Sequence, residues 1–480
     1  MDLQKLIKFL KNNKWIITIF IIALLIRIIF VYVYPIKWWD ETIYSNLGHD
    51  LSANPLGYSL RDKGWGDLMP MSAWPKIGFR APLLPYSLAA LYFLKLAFLT
   101  DLLIPLIGAL TVLLVYFFGK NLFNKNVGLI SAGFLSFLPL HVLYSGRILT
   151  DVYSTFFIVL TLFAFWKGFE KGSKKYKIFF GIFFALAVLT RYNMVWVIPV
   201  FLVYFLIRDK NLKFLKDKYL WYSIIAFFIV MTPLFIYGYF EYRNIFGMFL
   251  HAKQASTYWG GNQDWTFFFT NWWSIFSIVG IIFIASIGYI LYKKEFVKKE
   301  IYYLLIFIFV FFGFSLIIGH KEERYILPIA PILCLISGFF IDKFKSKIKI
   351  LFVIGIMIFL IFANFLLFYH DFTNYHNVNS QCFYETVNYL KSINGDITVV
   401  NENVPVFYYY TGKRSEYYIQ ISESTFSNFK LKNNNTYFVF TKSGSGLNSL
   451  EFTQLKNILN NSYTLKFNCS LDPEHNFIYS

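Results

Sequence analysis

Long apolar runs separated by short basic breaks fill the first three quarters of the chain, and a polar segment fills the rest. Runs near the length needed to cross ~30 Å of hydrocarbon lie at 15–34, 102–118, 127–145, 151–166, 178–190, 194–207, 219–240, 274–292, 301–319, 325–341 and 349–369. A further run at 83–98 has an unbroken apolar part, Leu83 to Leu94, of only twelve residues before Lys95. That length suits a re-entrant or interfacial helix better than a span. The basic start through Lys14 leads into the first run with no small-residue cleavage site after it, so the pattern predicts a retained signal anchor.

The breaks set the orientation. With the N-terminus cytoplasmic and the 83–98 run not crossing, the cytoplasmic segments are 1–14, 119–126, 167–177, 208–218, 293–300 and 342–348. They collect the lysines, among them Lys167, Lys171, Lys174, Lys175 and Lys177 in a single loop. The alternate turns at 146–150, 191–193 and 320–324 carry one or two basic residues each. A crossing at 83–98 would turn every later lysine-rich loop outward, against the positive-inside rule. Eleven spans and one non-crossing helix are the consistent solution. An odd count puts the C-terminal segment outside, on the same face as loops 35–82 and 241–273 and the three lysine-poor turns.

Residues 1–370 therefore read as a membrane domain, and 371–480 as a small extracytoplasmic α/β domain. In the latter the pattern predicts helices near 381–392, 404–410 and 448–460, and strands near 396–400, 415–421, 435–441, 463–468 and 476–480. It has no glycine-rich phosphate loop; Gly444 and Gly446 read as a turn. Three glycosylation sequons, at Asn434, Asn460 and Asn468, accord with an external location. So placed, Cys382 and Cys469 have a disulfide open to them, while Cys334 lies in an apolar run as an inert core residue.

Composition excludes the soluble alternatives. Of 480 residues, 57% are hydrophobic and 22% aromatic, more apolar surface than a soluble domain of this length can hide. The net charge of +18 would suit a nucleic-acid binder, but the lysines sit in bursts between apolar runs, where they mark loops instead.

Chemistry concentrates on the outer face. Trp38-Trp39-Asp40-Glu41 and then Tyr44 follow the first span. Paired tryptophans are ordinary at an interface, but two carboxylates beside lipid are costly and suggest a purpose; the plainer account of the pair is a helix N-terminus. Asp151 begins a later span, and Arg80, Arg147, Arg191, Lys321 and Arg324 lie at outer ends or turns. Each cation has snorkelling at a helix end as its ordinary explanation. His49, His251 and His320 lack metal-ligand spacing.

In their order these residues resemble the protein O-mannosyltransferases and lipid A aminoarabinose transferases, families with the GT-C glycosyltransferase fold. The likeness runs through Asp40-Glu41 with Tyr44, and Arg80-Ala81-Pro82-Leu83-Leu84-Pro85, where the family usually has two adjacent prolines. It continues with Gly119-Lys120-Asn121-Leu122-Phe123, Ser145-Gly146-Arg147 with Asp151, and Leu189-Thr190-Arg191-Tyr192, where the family has Lys. His320-Lys321 through Glu323-Arg324-Tyr325 to Pro328, and Tyr409-Tyr410-Thr411-Gly412-Lys413, complete it.

The resemblance implies an all-α GT-C membrane domain of about eleven transmembrane helices that transfers a sugar from a polyprenyl phosphate to a hydroxyl acceptor. Catalytic roles then fall to Asp40, as the general base, Glu41 and Asp151. Donor binding falls to Tyr44, Arg80, Arg147, Arg191, Lys321, Arg324 and Tyr325, the arginines suiting phosphate contacts. A divalent cation between Asp40 and Asp151 is left open. The competing class, a transporter or lipid flippase, would favour internal repeats and midplane charges in broken helices; no repeat is visible.

Overall fold

A computed structural model describes residues 13–59, 80–258, 263–400, 404–416, 436–440, 464–471 and 477–479, with residues 457 and 460. Lys5, Lys8 and Lys11, the 60–79 part of the first outer loop, most of the expected 448–460 helix, Gly444, Gly446 and the Asn434 sequon lie outside the described residues. The chain divides into two compact units. One holds Met1–Tyr32, Phe79–Leu84 and Phe98–Phe368; the other holds Val33–Gly78, Pro85–Ala97 and Tyr369–Ser480.

In the first unit, helix covers each of the eleven expected runs. Nine helices among the described residues are long and apolar enough to cross a membrane, and a bent pair makes a tenth. The remaining run is Lys174–Thr190, which has 17 residues and three lysines in its first turn. Helix Ala330–Ile341 is buried on nearly every face. The final helix, Ser346–Tyr375, instead exposes Ile354, Ile358, Phe362 and Phe365, side chains suited to lipid contact. Glycines let backbones touch, as small residues do between membrane helices. A Cβ on Gly181 would run into the Ser223 carbonyl oxygen, and one on Gly128 would lie 2.5 Å from that of Tyr116.

The 127–145 run is two helices, Lys125–Ser136 and Pro139–Ser145, bent by 63°. Proline opens the second half, where its missing N–H and fixed φ suit a helix start and forbid continuation of the first half. The break frees carbonyls that lipid cannot satisfy. Arg27, from the first span and fully buried, answers it. Its guanidinium donates to the carbonyls of Leu135 at 3.1 Å and Ser136 at 3.2 Å. It also donates to Ala23 O at 2.9 Å and Ser145 Oγ at 3.2 Å, and pairs with His141 Nδ1 at 2.8 Å. Asn364 Nδ2 takes the Phe137 carbonyl at 2.7 Å.

Lysine-rich breaks meet one another at the opposite ends of the spans. Glu170 pairs with Arg208 at 3.0 Å and Lys299 at 3.1 Å, Lys177 pairs with Asp217, and Asp342 takes Lys349 and Asn124, each at 2.8 Å.

The second unit contains a five-stranded sheet ordered β2-β1-β3-β5-β4, from β1 (Thr398–Val400), β2 (Arg414–Glu416), β3 (Thr436–Phe440), β4 (Leu465–Asn468) and β5 (Phe477–Tyr479). β2, β1 and β3 run parallel; β3–β5 and β5–β4 are antiparallel. Helix Val404–Thr411 makes the crossover from β1 to β2. Helix Val378–Ser392 is capped by the Asn377 side chain. It buries Phe383, Val387 and Leu390 at helical spacing against Val399, Val439 and Ile478. Cys382 on this helix is joined to Cys469 beyond β4 in a disulfide, with Cα atoms 5.4 Å apart. Among the described residues a strand falls on each of the five expected in the polar segment, with β2 beginning one residue before the predicted 415–421.

Candidate functional site

Two groups of polar residues stand out, one in each unit. In the first unit the chain passes from the bent half-helix through Ser145-Gly146-Arg147 into helix Thr150–Phe165, whose first turn holds Asp151. Gly146 lies against the first span so closely that a Cβ would come within 2.7 Å of the Phe30 carbonyl carbon. A carboxylate suits this helix N-terminus, where unpaired N–H groups leave partial positive charge. The backbone carbonyl of Asp151 accepts from the Ser154 and Thr155 hydroxyls at 3.0 and 2.8 Å.

The Asp151 side chain is 1% exposed and flanked by two guanidinium groups. Arg191, just past the end of helix Lys174–Thr190, donates to Oδ1, and Arg324 Nη1 is 3.8 Å from Oδ2. Both arginines also face the Tyr325 ring, at 5.0 and 5.9 Å from its centroid, a cation–π arrangement. The Glu322 carboxylate completes the cluster. Arg324 Nε is 2.8 Å from its Oε2 and Nη2 donates to Oε1 at 2.9 Å. The Tyr325 hydroxyl donates to Oε1 at 2.9 Å, and His320 Nε2 lies 3.2 Å from that oxygen.

The structure thus gathers Asp151, Arg191, Arg324 and Tyr325 from three separate stretches of chain. Arg80 is close to the same helix end, its carbonyl accepting from Tyr192 at 3.2 Å. Arg147 is buried. Lys321 is also buried, and its ammonium donates to the Gln263 carbonyl at 2.8 Å while Gln263 Oε1 accepts the Lys321 N–H at 2.6 Å. Gln263 is a buckle on the 319–321 turn that no sequence signal marked. Glu322 pairs with the neighbouring cation Arg324.

In the second unit Asp40, Glu41 and Tyr44 share helix Trp39–Ala53. Glu41 Oε2 accepts the Trp38 N–H at 2.8 Å, so this carboxylate caps its own helix. Asp40 is partly exposed in the same first turn, and Tyr44 is buried. The polar segment holds this helix from several sides. Asn46 Nδ2 donates to Pro405 O at 3.1 Å, the Lys37 N–H to Tyr410 Oη at 3.0 Å, and Tyr34 Oη to Asp371 Oδ2 at 2.6 Å. Burial pushes the Tyr410 phenol well above its ordinary range, against the opposing pull of the Lys37 N–H, so it is a neutral hydrogen-bonding anchor.

A divalent cation finds poor terms at Asp151, whose two oxygens both face guanidinium groups. Among the described residues no three His, Cys, Asp or Glu side chains group as metal ligands.

Residues 80–237 match the family described as dolichyl-phosphate-mannose-protein mannosyltransferase. A protein of Aquifex aeolicus (strain VF5), described as uncharacterized, is 26% identical over 248 residues, 50% of this chain and 48% of that protein. The match therefore spans about half the length of that relative. Among solved structures, ArnT from Cupriavidus metallidurans bound to undecaprenyl phosphate superposes with a TM-score of 0.72 at 12% identity, over 97% of this chain and 98% of ArnT. The Archaeoglobus fulgidus oligosaccharyltransferase AglB, in complex with an inhibitory peptide and a dolichol-phosphate, gives 0.61 at 15% identity, over 89% of this chain and 69% of AglB. At these identities the likeness establishes the fold. The chain has the GT-C fold expected of it, a helical multi-pass membrane body with a small sheet-containing segment at its C-terminal end.

Proposed function

We propose that this protein is a membrane glycosyltransferase that moves a sugar from a polyprenyl-phosphate carrier to a hydroxyl acceptor. The observation that carries the reading is the Arg191–Asp151–Arg324 cluster over Tyr325. It is a preorganised cationic site at a helix N-terminus, in a chain whose fold is that of ArnT, which binds undecaprenyl phosphate. Partly buried guanidinium groups aimed at a phosphate stabilise the charge that develops as it leaves, and Asp151 holds the two arginines in place before the lipid arrives.

In the reaction the acceptor oxygen bonds to C1 of the sugar while the C1–O bond to phosphate breaks. The electron pair leaves on the polyprenyl phosphate, and the acceptor proton passes to the Asp40 carboxylate. Glu41 fixes the helix that presents Asp40. Arg191 and Arg324 take the phosphate, with Arg147 and Arg80 as further cations.

The N-terminus is assigned to the cytoplasm and the C-terminal segment to the exterior. Two features support this orientation: the lysine-rich breaks are mutually paired, and the Cys382–Cys469 disulfide belongs to an oxidising compartment.

The test is transfer of label from radiolabelled polyprenyl-phosphate sugars, mannose and aminoarabinose among them, in membranes containing the protein. Wild type transfers and Asp40→Asn does not. Full activity in Asp40→Asn would refute the assigned base.

A further inference from the structure

The 320–325 turn places a carboxylate where the proposed donor would place its phosphate. Arg324 Nε and Nη2 and the Tyr325 hydroxyl contact the two Glu322 oxygens at 2.8–2.9 Å, with His320 Nε2 at 3.2 Å. In this arrangement Glu322 occupies the Arg324 and Tyr325 donors that an incoming phosphate would use. The two carboxylates differ in how firmly they are held. Asp151 is 1% exposed at a helix end, whereas Glu322 is 34% exposed on a short turn and can be rehydrated as it swings away.

We propose that Glu322 is a resident stand-in for the donor phosphate, displaced when the lipid binds and returning to help expel the product. This rests on the reading of the arginine cluster as the phosphate site. The donor is a phosphodiester with a single negative charge, and displacing Glu322 frees Arg324 and Tyr325 to receive it. The product is a monoester carrying up to two charges, so the Glu322 carboxylate repels it more strongly than the donor and competes with it for Arg324 and Tyr325. The residue thereby sets the preference of the site for donor over spent carrier.

The experiment measures binding of undecaprenyl monophosphate to the purified full-length protein in detergent, with thermal unfolding followed for each variant. Glu322→Gln keeps the shape and removes the competing charge, and it should bind about tenfold tighter than wild type. Glu323→Gln, whose carboxylate accepts from Ser274, should bind as wild type, and Arg324→Gln at least about tenfold more weakly. A gain of affinity is a result that structural damage does not produce. Equal or weaker binding by Glu322→Gln, with Arg324→Gln still weakened, would overturn the stand-in role and leave the phosphate site intact. Undiminished binding by Arg324→Gln would overturn both.

Discussion

Replacing Arg27 with methionine keeps the length of the side chain and removes every hydrogen bond that its guanidinium gives the broken span. Leu135 and Ser136 lose the donors at 3.1 and 3.2 Å, at a depth where neither water nor helix can replace them. Each buried carbonyl left unsatisfied costs about 1–3 kcal/mol, so the gross loss is roughly 2–6 kcal/mol. Methionine recovers something, because it no longer requires a guanidinium to be desolvated. The surrounding polar groups remain, however, and the recovery is partial; the net expectation is a loss of about 2–4 kcal/mol. Arg27→Lys retains the charge but not the fork, and should fall between. Ser145→Ala should do little, since the Ser145 hydroxyl donates within its own helix to the His141 carbonyl and only accepts from Arg27. The measurement is thermal unfolding in detergent followed by tryptophan fluorescence. The half-helix braced by Arg27 leads straight into Arg147 and Asp151, so Arg27→Met should also lose transfer activity below its unfolding temperature. A displacement of ~1 Å at a reacting site can cost about a hundredfold. An Arg27→Met protein as stable and active as wild type would show that the break needs no buried cap.

Two further substitutions probe the two units separately. Asp151→Asn removes the charge between two guanidinium groups without changing shape, and should cost about 3–5 kcal/mol; unfolding unchanged from wild type would show that the ion pair is not structural. Cys382→Ser opens a cross-link that bridges a separation of 87 residues. It should destabilise the polar segment by about 2–4 kcal/mol, seen as faster limited proteolysis there than in the membrane helices. Equal proteolysis rates for mutant and wild type would refute this.

The helical runs were legible because an apolar stretch of spanning length has few other uses, and the described elements of the polar segment were legible from their short alternating patterns. Asp151, Arg191 and Arg324 could be named because each marks an outer helix end and a resemblance ordered them. Arg27 was not legible: a single arginine inside an apolar run leaves the run intact as a hydropathy signal, and the broken-span groups it meets are over 100 residues away. The break it caps did have a local sign, Pro139 within the 127–145 run. Gln263 sits in a loop with no pattern at all. The docking of Trp39–Ala53 on the C-terminal segment depends on Asn46 and the Pro405 carbonyl, which are 359 residues apart; no local rule encodes such a pairing.

The carboxylates gathered by the sequence divide by what their oxygens already do. Asp151 faces two guanidinium groups, Glu41 takes the first N–H of its helix, and Glu322 holds Arg324 and Tyr325. The proposed mechanism gives proton transfer to Asp40 and charge handling to the arginine cluster, residues that belong to different compact units. The kinetic parameters should separate accordingly. Asp40→Asn should abolish turnover while undecaprenyl monophosphate still binds, and Arg324→Gln should weaken that binding. If Asp40→Asn lost lipid binding as completely as turnover, the division would be wrong, and the first loop would have to be counted among the phosphate's ligands.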